Sequence, residues 1–158
     1  CPISEMARGT GLLESTAKDN PGKDSIAMFG IPSAESHASY TTASYRWEEF
    51  VQQVCGEKLK FCQQYLGYAG NEAVDRLPAG RGVLYRMLNL LNESRDNINL
   101  ARFAYMLGRM EPTKDSPAYD SYIKVREKLY GWYQDKAARK QLMTALEFII
   151  YRIREKGE

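Results

Sequence analysis

This chain of 158 residues has few of the side chains that most catalytic or metal sites require. Cysteine occurs three times and histidine once. A single histidine, His37, with scattered cysteines does not form a zinc site. Cys55 and Cys62 would lie about 10.5 Å apart along a helix, which is beyond the reach of a disulfide. We therefore expect free thiols, as in a reducing cytoplasm.

Several patterns typical of membrane proteins and of metal-dependent enzymes are also missing. No uncharged apolar run is long enough to span a membrane. Gly-Gly, Asp-Asp and His-Asp do not occur in the chain. The stretch "PAGRGVLYR" contains Gly80 and Gly82 but lacks the Gly-Lys-Ser/Thr of a phosphate-binding loop. We expect these glycines only to let the chain turn into a helix.

The first residues, "CPISEMARGTGLL", lack the basic start and apolar run of a signal peptide. Because the chain begins with Cys rather than Met, we expect it to be a piece of a longer protein.

Apolar residues at helical spacing predict a mainly α fold: a helical bundle of about five helices, preceded by a short α/β segment. Residues 1–30 are expected to be the C-terminal end of an α/β domain. Residues 31–44 are expected to form a linker, and residues 45–158 the helical bundle. The segment "SIAMFG" predicts a strand, and "IPSAESHASYTTAS" a loop with a short strand at its end. Helices are predicted from Ile3, from Trp47 to about Gly67, over Val83–Leu91, from a cap at Asp96 or Asn97, from a cap at Ser116–Pro117, and from a cap at Asp135.

One stretch, "NINLARFAYMLGRMEP", combines a wide apolar surface with two arginines. On a helical wheel Leu100, Phe103, Leu107 and Met110 share one broad side, with Ala101, Ala104 and Gly108 beside them. Arg102 and Arg109 fall together on the opposite side. An apolar arc this wide predicts a helix surrounded by others, with one open slot for the arginines. The small residues would let a neighbouring helix come close.

Positive charge is concentrated in the second half of the chain. Residues 1–79 hold 7 Lys and Arg against 10 Asp and Glu, whereas residues 80–158 hold 15 against 10. A segment with this excess of positive charge is suited to binding polyanions, although a solvated helical surface gives similar counts of charged residues. The candidate contacts to RNA or a partner are Arg95, Arg102, Arg109, Lys124, Lys128, Arg139 and Lys140. No catalytic or metal-binding residue is assigned.

Two interpretations of these basic residues stay open at this point. They could form salt bridges inside the bundle, with Glu93, Glu111, Asp120 or Glu127 as partners. They could instead contact RNA backbone or an acidic partner surface, since arginine suits phosphate and carboxylate groups. The aromatic residues do not decide between the two, because their helical spacing predicts core positions rather than base-stacking surfaces. They are Tyr105, Tyr119, Tyr122, Tyr130, Trp132 and Tyr133.

An ordered set of segments resembles a known family. "RWEEFVQQVCGEKLKF", "GRGVLYRMLNLL", "NINLARFAYMLGRMEP" and "ARKQLMTALEFIIYRIREK" resemble the C-terminal helical domain of the large subunit of type III-A CRISPR effector complexes. "PISEMARGTGLLESTAK" and "KDSIAMFG" resemble the end of the preceding palm domain. The resemblance covers essentially the whole chain. It departs at Arg46, where the family usually has a capping Ser or Thr.

The resemblance implies a non-catalytic scaffold domain in antiviral defence. It implies docking to small subunits and to guide and target RNA in the cytoplasm. The full-length family makes cyclic oligoadenylates from ATP with divalent metal, through a Gly-Gly-Asp-Asp motif, and many members cut single-stranded DNA through a His-Asp motif. This chain has neither motif, so no cofactor is expected for it. The alternatives are a stand-alone CRISPR small subunit and a generic cytoplasmic helical interaction module.

Overall fold

The computed structural model describes residues 3–22, 24–29, 43–92 and 97–155. Six helical stretches dominate this part of the chain, which confirms the mainly α fold and the bundle. The chain divides into two compact units, Cys1–Gln53 and Val54–Glu158. The elements, in chain order, are α1 (Ile3–Lys18), β1 (Ser25–Met28), β2 (Ala43–Arg46), α2 (Trp47–Glu49), a π-helical segment (Phe50–Leu59), α3 (Lys60–Tyr65), β3 (Leu66–Gly67), β4 (Leu77–Pro78), α4 (Arg81–Asn92), α5 (Asn97–Arg109), α6 (Tyr119–Gln134) and α7 (Lys136–Glu155).

In the first unit, α1 packs against a hairpin-like pair of strands. β1 and β2 are antiparallel, with Ser25 opposite Arg46. Ala43 and Tyr45 are buried on β2, while the residues that alternate with them are more exposed. This alternation is the two-residue period of a strand with one covered face. The strand predicted in "SIAMFG" and the strand predicted at the end of the following loop are both confirmed.

The helix predicted from Trp47 extends through Tyr65, but its middle is π-helical. Arg46 precedes it without a side-chain capping bond, in agreement with the missing Ser or Thr. An α-helix completes a turn every 3.6 residues, and the i→i+5 bonds of a π-helix widen that turn. The wider turn suits the four-residue spacing of the buried side chains in this region. They are Val54, Lys58, Cys62 and Leu66.

The second unit is a bundle centred on α7, which packs against α4 and α6. α5 in turn packs on α4 and α6. Asp135 caps α7 as predicted, because its Oδ1 accepts a 2.6 Å bond from the backbone N–H of Ala138. α7 has a broad apolar face that is buried in the bundle. Its buried members are Leu142, Ala145, Leu146, Ile149, Ile150 and Ile153.

The connection between α3 and α4 contains regular structure. β3 and β4 form a short parallel pair, and Tyr68, Leu77 and Ala79 are buried. Gly80 and Gly82 do not have positive φ angles, and an added Cβ on either would meet nothing within 4 Å. Neither position therefore requires a backbone conformation reserved for glycine, and the chain turns into α4 at Arg81, between the two.

The start of α6 also differs from the prediction. The helix begins at Tyr119, and its N-cap is Ala118, which makes no side-chain capping bond. Ser116 does not cap the helix. Its Oγ accepts a 3.3 Å bond from the backbone N–H of Ala118, two residues on, which is a serine turn.

Among the described residues, no helix is both long and apolar enough to cross a membrane. The proposed cap at Asp96 and the residue His37 lie outside the described part of the chain.

Candidate partner-binding site

Only one side of α5 is buried, which corrects the prediction that other helices surround it. Phe103, Met106 and Leu107 face the core. The opposite side carries small and basic residues together with Ile98 and Tyr105, and an added Cβ at Gly108 would meet nothing within 4 Å. Alanine and glycine widened the apolar arc on the wheel, but they lose little by exposure to water. The exposed residues are Ile98, Ala101, Arg102, Ala104, Tyr105, Gly108 and Arg109.

An open groove of about 650 Å³ runs between α4 and α5. Its apolar lining comes from four side chains: Val83, Leu90, Met106 and Met110. Three arginines and one tyrosine also line it, together with Gly82: Arg86, Arg102, Arg109 and Tyr105. The three arginines are exposed. We call this feature the arginine groove.

Among the described residues, Arg102 and Arg109 of the arginine groove make only weak side-chain contacts. Arg102 Nη1 lies 3.3 Å from Asn99 Oδ1, and Arg109 Nη1 lies 3.5 Å from Tyr105 Oη. Both partners are neutral and belong to α5 itself. In the described part of the chain, none of the three arginines has a carboxylate within ion-pair distance. Their charges are therefore available to an external anion as far as the described residues go.

Sequence reasoning missed two members of this groove. Arg86 lies on α4 and shares no heptad register with Arg102 and Arg109, so only the packing of α4 on α5 brings it to them. Tyr105 was expected in the core but is 67% exposed. Its position beside Arg109 on the wheel, about 40° away at 100° per residue, was the available signal.

The lysine candidates lie at a second groove, of about 410 Å³, between α6 and the helical stretch that contains α3. Lys124 Nζ is 5.2 Å from the centre of the Tyr65 ring, and Lys128 Nζ is 5.9 Å from that of Trp132. Glu57 and Glu127 line the same groove. These lysines therefore have acidic residues in their own groove, whereas no acidic residue lines the arginine groove among the described residues.

The remaining candidates are not part of either groove. Arg139 is half-buried where α6 meets α7, and its Nη1 donates to the Tyr133 carbonyl at 3.1 Å. Its guanidinium also lies 5.7 Å from the Tyr133 ring centre, so it serves the packing of the bundle. Burial raises the pKa of the Tyr133 hydroxyl, and Arg139 partly opposes this. Lys140 is exposed on α7, and Arg95 lies outside the described residues.

The described residues contain no group of three or more His, Cys, Asp or Glu side chains that could hold a metal ion. Cys62 is fully buried, and burial raises the pKa of its thiol to about 12. Cys55 is partly buried, and burial also raises the pKa of its thiol. Both cysteines are free thiols. Neither is suited to act as a nucleophile, because the thiolate is the reactive form.

Comparison with known proteins defines the family to which this bundle belongs. Residues 74–155 match the model of the second helical domain of the Cmr2 subunit of the CRISPR RNA silencing complex. The chain belongs to this family. The matched residues include α4 to α7, and therefore all the residues that line the arginine groove.

The particular relatives are large subunits of type III-A. The chain is similar to the "CRISPR system single-strand-specific deoxyribonuclease Cas10/Csm1 (subtype III-A)" of Mycobacterium tuberculosis, with 36% identity over 155 residues. It is 32% identical to the protein of that name from Streptococcus thermophilus over 157 residues. For Enterococcus italicus the identity is 30% over 154 residues. These matches cover 98% of this chain but only 17–18% of each relative. They confirm the resemblance to the type III-A large subunit and place the chain in CRISPR defence.

Proposed function

We propose that this chain is a non-catalytic scaffold segment of a type III-A effector large subunit, working in the cytoplasm. It docks to small subunits and other subunits of the effector complex and to guide and target RNA, without a cofactor of its own. The observation that carries the proposal is the arginine groove, where three exposed guanidiniums have no carboxylate partner among the described residues. Guanidinium groups form strong forked bonds to phosphate and carboxylate. A row of them therefore favours an anionic partner.

The test is a double substitution, Arg102→Ala with Arg109→Ala. Both side chains are exposed, so the free energy of unfolding should change by less than about 1 kcal/mol. Introduced into the full-length parent, the same pair should weaken its incorporation into the effector complex. If phosphates are contacted, the slope of log Kd against log salt should also fall. Thermal melts and native mass spectrometry of the reconstituted complex measure the two effects.

The matched control is Lys114→Ala with Lys136→Ala, which removes the same charge from exposed positions outside the groove. This variant should assemble normally. A large drop in melting temperature for the arginine variant alone would show that these arginines support the bundle from within. Equal loss of assembly in both variants would show that only net charge matters. Either result defeats the proposal.

The proposal also predicts that the chain alone makes no cyclic oligoadenylate from ATP with magnesium or manganese and cuts no single-stranded DNA. Phosphoryl chemistry of this kind uses metal ions held by carboxylates or histidines, and the chain lacks the Gly-Gly, Asp-Asp and His-Asp dipeptides of the family motifs. Mass spectrometry of the nucleotide products and gel analysis of labelled DNA test this. Product that disappears when a residue of this chain is changed would refute it.

A further inference from the structure

The arginine groove has two kinds of surface, and an occupant has to match both. Its lining includes Leu90, Met106 and Met110, which are apolar, and its arginines are exposed to solvent. Apolar surface gains free energy when a partner removes it from water. Methionine is flexible and adapts to the shape of a partner helix, as in grooves that bind amphipathic helices.

The positions of the arginines define the charge pattern of that occupant. Arg102 and Arg109 are seven residues apart on α5, so their Cα atoms are separated by about 10.5 Å along the axis. Two acidic residues seven apart on another helix have the same separation. A helix that packs at the shallow crossing angle of coiled coils would keep the two rows in register. Arg86, from α4, approaches the groove from its other side.

The surface of α5 next to the groove also favours a helix. Ala101, Ala104 and Gly108 are exposed there, and side chains at a contact set how closely two helix axes approach. Small residues permit the shorter separations. The described part of the chain places nothing within 4 Å of a Cβ added at Gly108, so this face can accept a neighbouring backbone.

A nucleic acid fits these features less well. Binding of single strands relies on rows of aromatic side chains on which bases stack, and Tyr105 is the one aromatic side chain that lines the groove. A phosphate backbone would pair with the arginines but would leave the apolar lining without a partner. A protein helix with acidic flanks matches both surfaces, because its apolar face covers the apolar lining and its carboxylates pair with the arginines.

We propose that the arginine groove binds an acidic amphipathic helix from another subunit of the complex. This helix places apolar residues at i, i+3, i+4 and i+7 into the groove, and it presents carboxylates seven residues apart to Arg102 and Arg109. The inference rests on the proposed function, because it names the partner of the same site. RNA then contacts the large subunit elsewhere.

Site-specific photocrosslinking in the assembled complex tests the inference. Gly82→p-benzoylphenylalanine places the probe in the groove, at an exposed position where an added Cβ meets nothing within 4 Å. Tyr130→p-benzoylphenylalanine, on the exposed surface of α6 outside the groove, is the matched control. The full-length parent carrying either probe is assembled with guide RNA and the other subunits, irradiated, and analysed by mass spectrometry.

The expected product from Gly82 is a crosslink to a helical peptide of another subunit with two acidic residues seven apart, absent from the Tyr130 control. Arg102→Glu with Arg109→Glu should lower its yield at least tenfold, and replacing the two partner acids by lysine should restore it. A crosslink from Gly82 to RNA, to a second copy of this chain, or to nothing in an assembled complex overturns the inference.

Failure of the proposed function has a different signature. It is shown if a parent lacking residues 54–158 enters the complex as well as the intact parent. Failure of the groove inference alone is shown if the intact parent is required for assembly but the Gly82 probe gives one of the overturning products.

Discussion

Lys58 is a buried charge that is paired with a partly exposed carboxylate. Its side chain is 3% exposed and forms an ion pair with Glu57, whose side chain is 44% exposed. Lys58 Nζ also lies 5.1 Å from the centre of the Trp132 ring. Water can therefore hydrate the Glu57 carboxylate if Lys58 is lost, whereas the Lys58 side chain is almost wholly removed from water. This asymmetry predicts that removing the acid costs more than removing the base.

The expected magnitudes follow from what each change leaves behind. Glu57→Ala leaves an ammonium group buried with one aromatic ring as its counterpart. Loss of a hydrogen bond to a charged group costs about 1.5–3 kcal/mol, and we expect about 2 kcal/mol of destabilisation. Lys58→Met keeps a long apolar side chain in place, and the half-exposed carboxylate stays hydrated. Because replacing a buried ion by a well-packed apolar group is often neutral or stabilising, this variant should lie within about 1 kcal/mol of the wild type.

The assay is urea unfolding followed by the fluorescence of Trp132, which is buried in the same unit as Lys58. Trp47 belongs to the other unit, so a Trp47→Phe background leaves one reporter for the bundle. The matched control is Glu127→Ala, which removes another exposed acid from the groove of about 410 Å³ that Glu57 also lines. This control should change the free energy of unfolding by less than about 0.5 kcal/mol. The reasoning fails if Lys58→Met is the more destabilising variant, or if Glu57→Ala matches the control.

Two further predictions concern titratable groups. Burial raises the pKa of the Glu147 carboxyl from its ordinary value of 4.5 to about 7, so its contribution to stability is full below pH 4.5 and is lost as the pH rises through about 7. Glu147→Gln should therefore raise the melting temperature relative to wild type at pH 8 but not at pH 4.5, and an equal shift at both pH values would contradict this. For the thiols, mass-spectrometric mapping of alkylation should find Cys62 unmodified in the folded chain and modified in urea, since it is fully buried. A Cys55–Cys62 disulfide in freshly folded protein would contradict the free thiols.

The helices could be predicted because each carries a long periodic apolar face. Leu142, Leu146 and Ile149 on α7 recur at intervals that only a helix brings to one side, and all three are buried. The π-helical winding of Phe50–Leu59 could not be predicted in this way. A four-residue spacing of buried side chains is compatible with either helix when only the sequence is known.

The candidate site could be predicted in part. The shared face of Arg102 and Arg109 follows from helical geometry, and the structure places both on one groove. Arg86 could not be found, because its proximity depends on how α4 packs on α5. The predicted start of α6 was wrong because a local hydrogen bond competes with the capping bond. Ser116 has the side chain of a cap, yet its hydroxyl bonds two residues on and the helix begins at Tyr119.

The contrast between the two basic surfaces identifies the arginines as the better candidates for an external partner. Lys124 and Lys128 lie over aromatic rings of their own bundle, and such contacts contribute about 0.5–1 kcal/mol at exposed sites. A partner of these lysines has to compete with those rings. In the part of the chain that the structure describes, the Arg102 guanidinium bonds to a neutral amide of its own helix. An external carboxylate would therefore gain a charge-assisted bond and replace one weak contact. Equal numbers of positive charges on two surfaces therefore do not imply equal affinity for an anionic partner. The free energy of binding also depends on the contacts within the chain that each charged group loses when the partner binds.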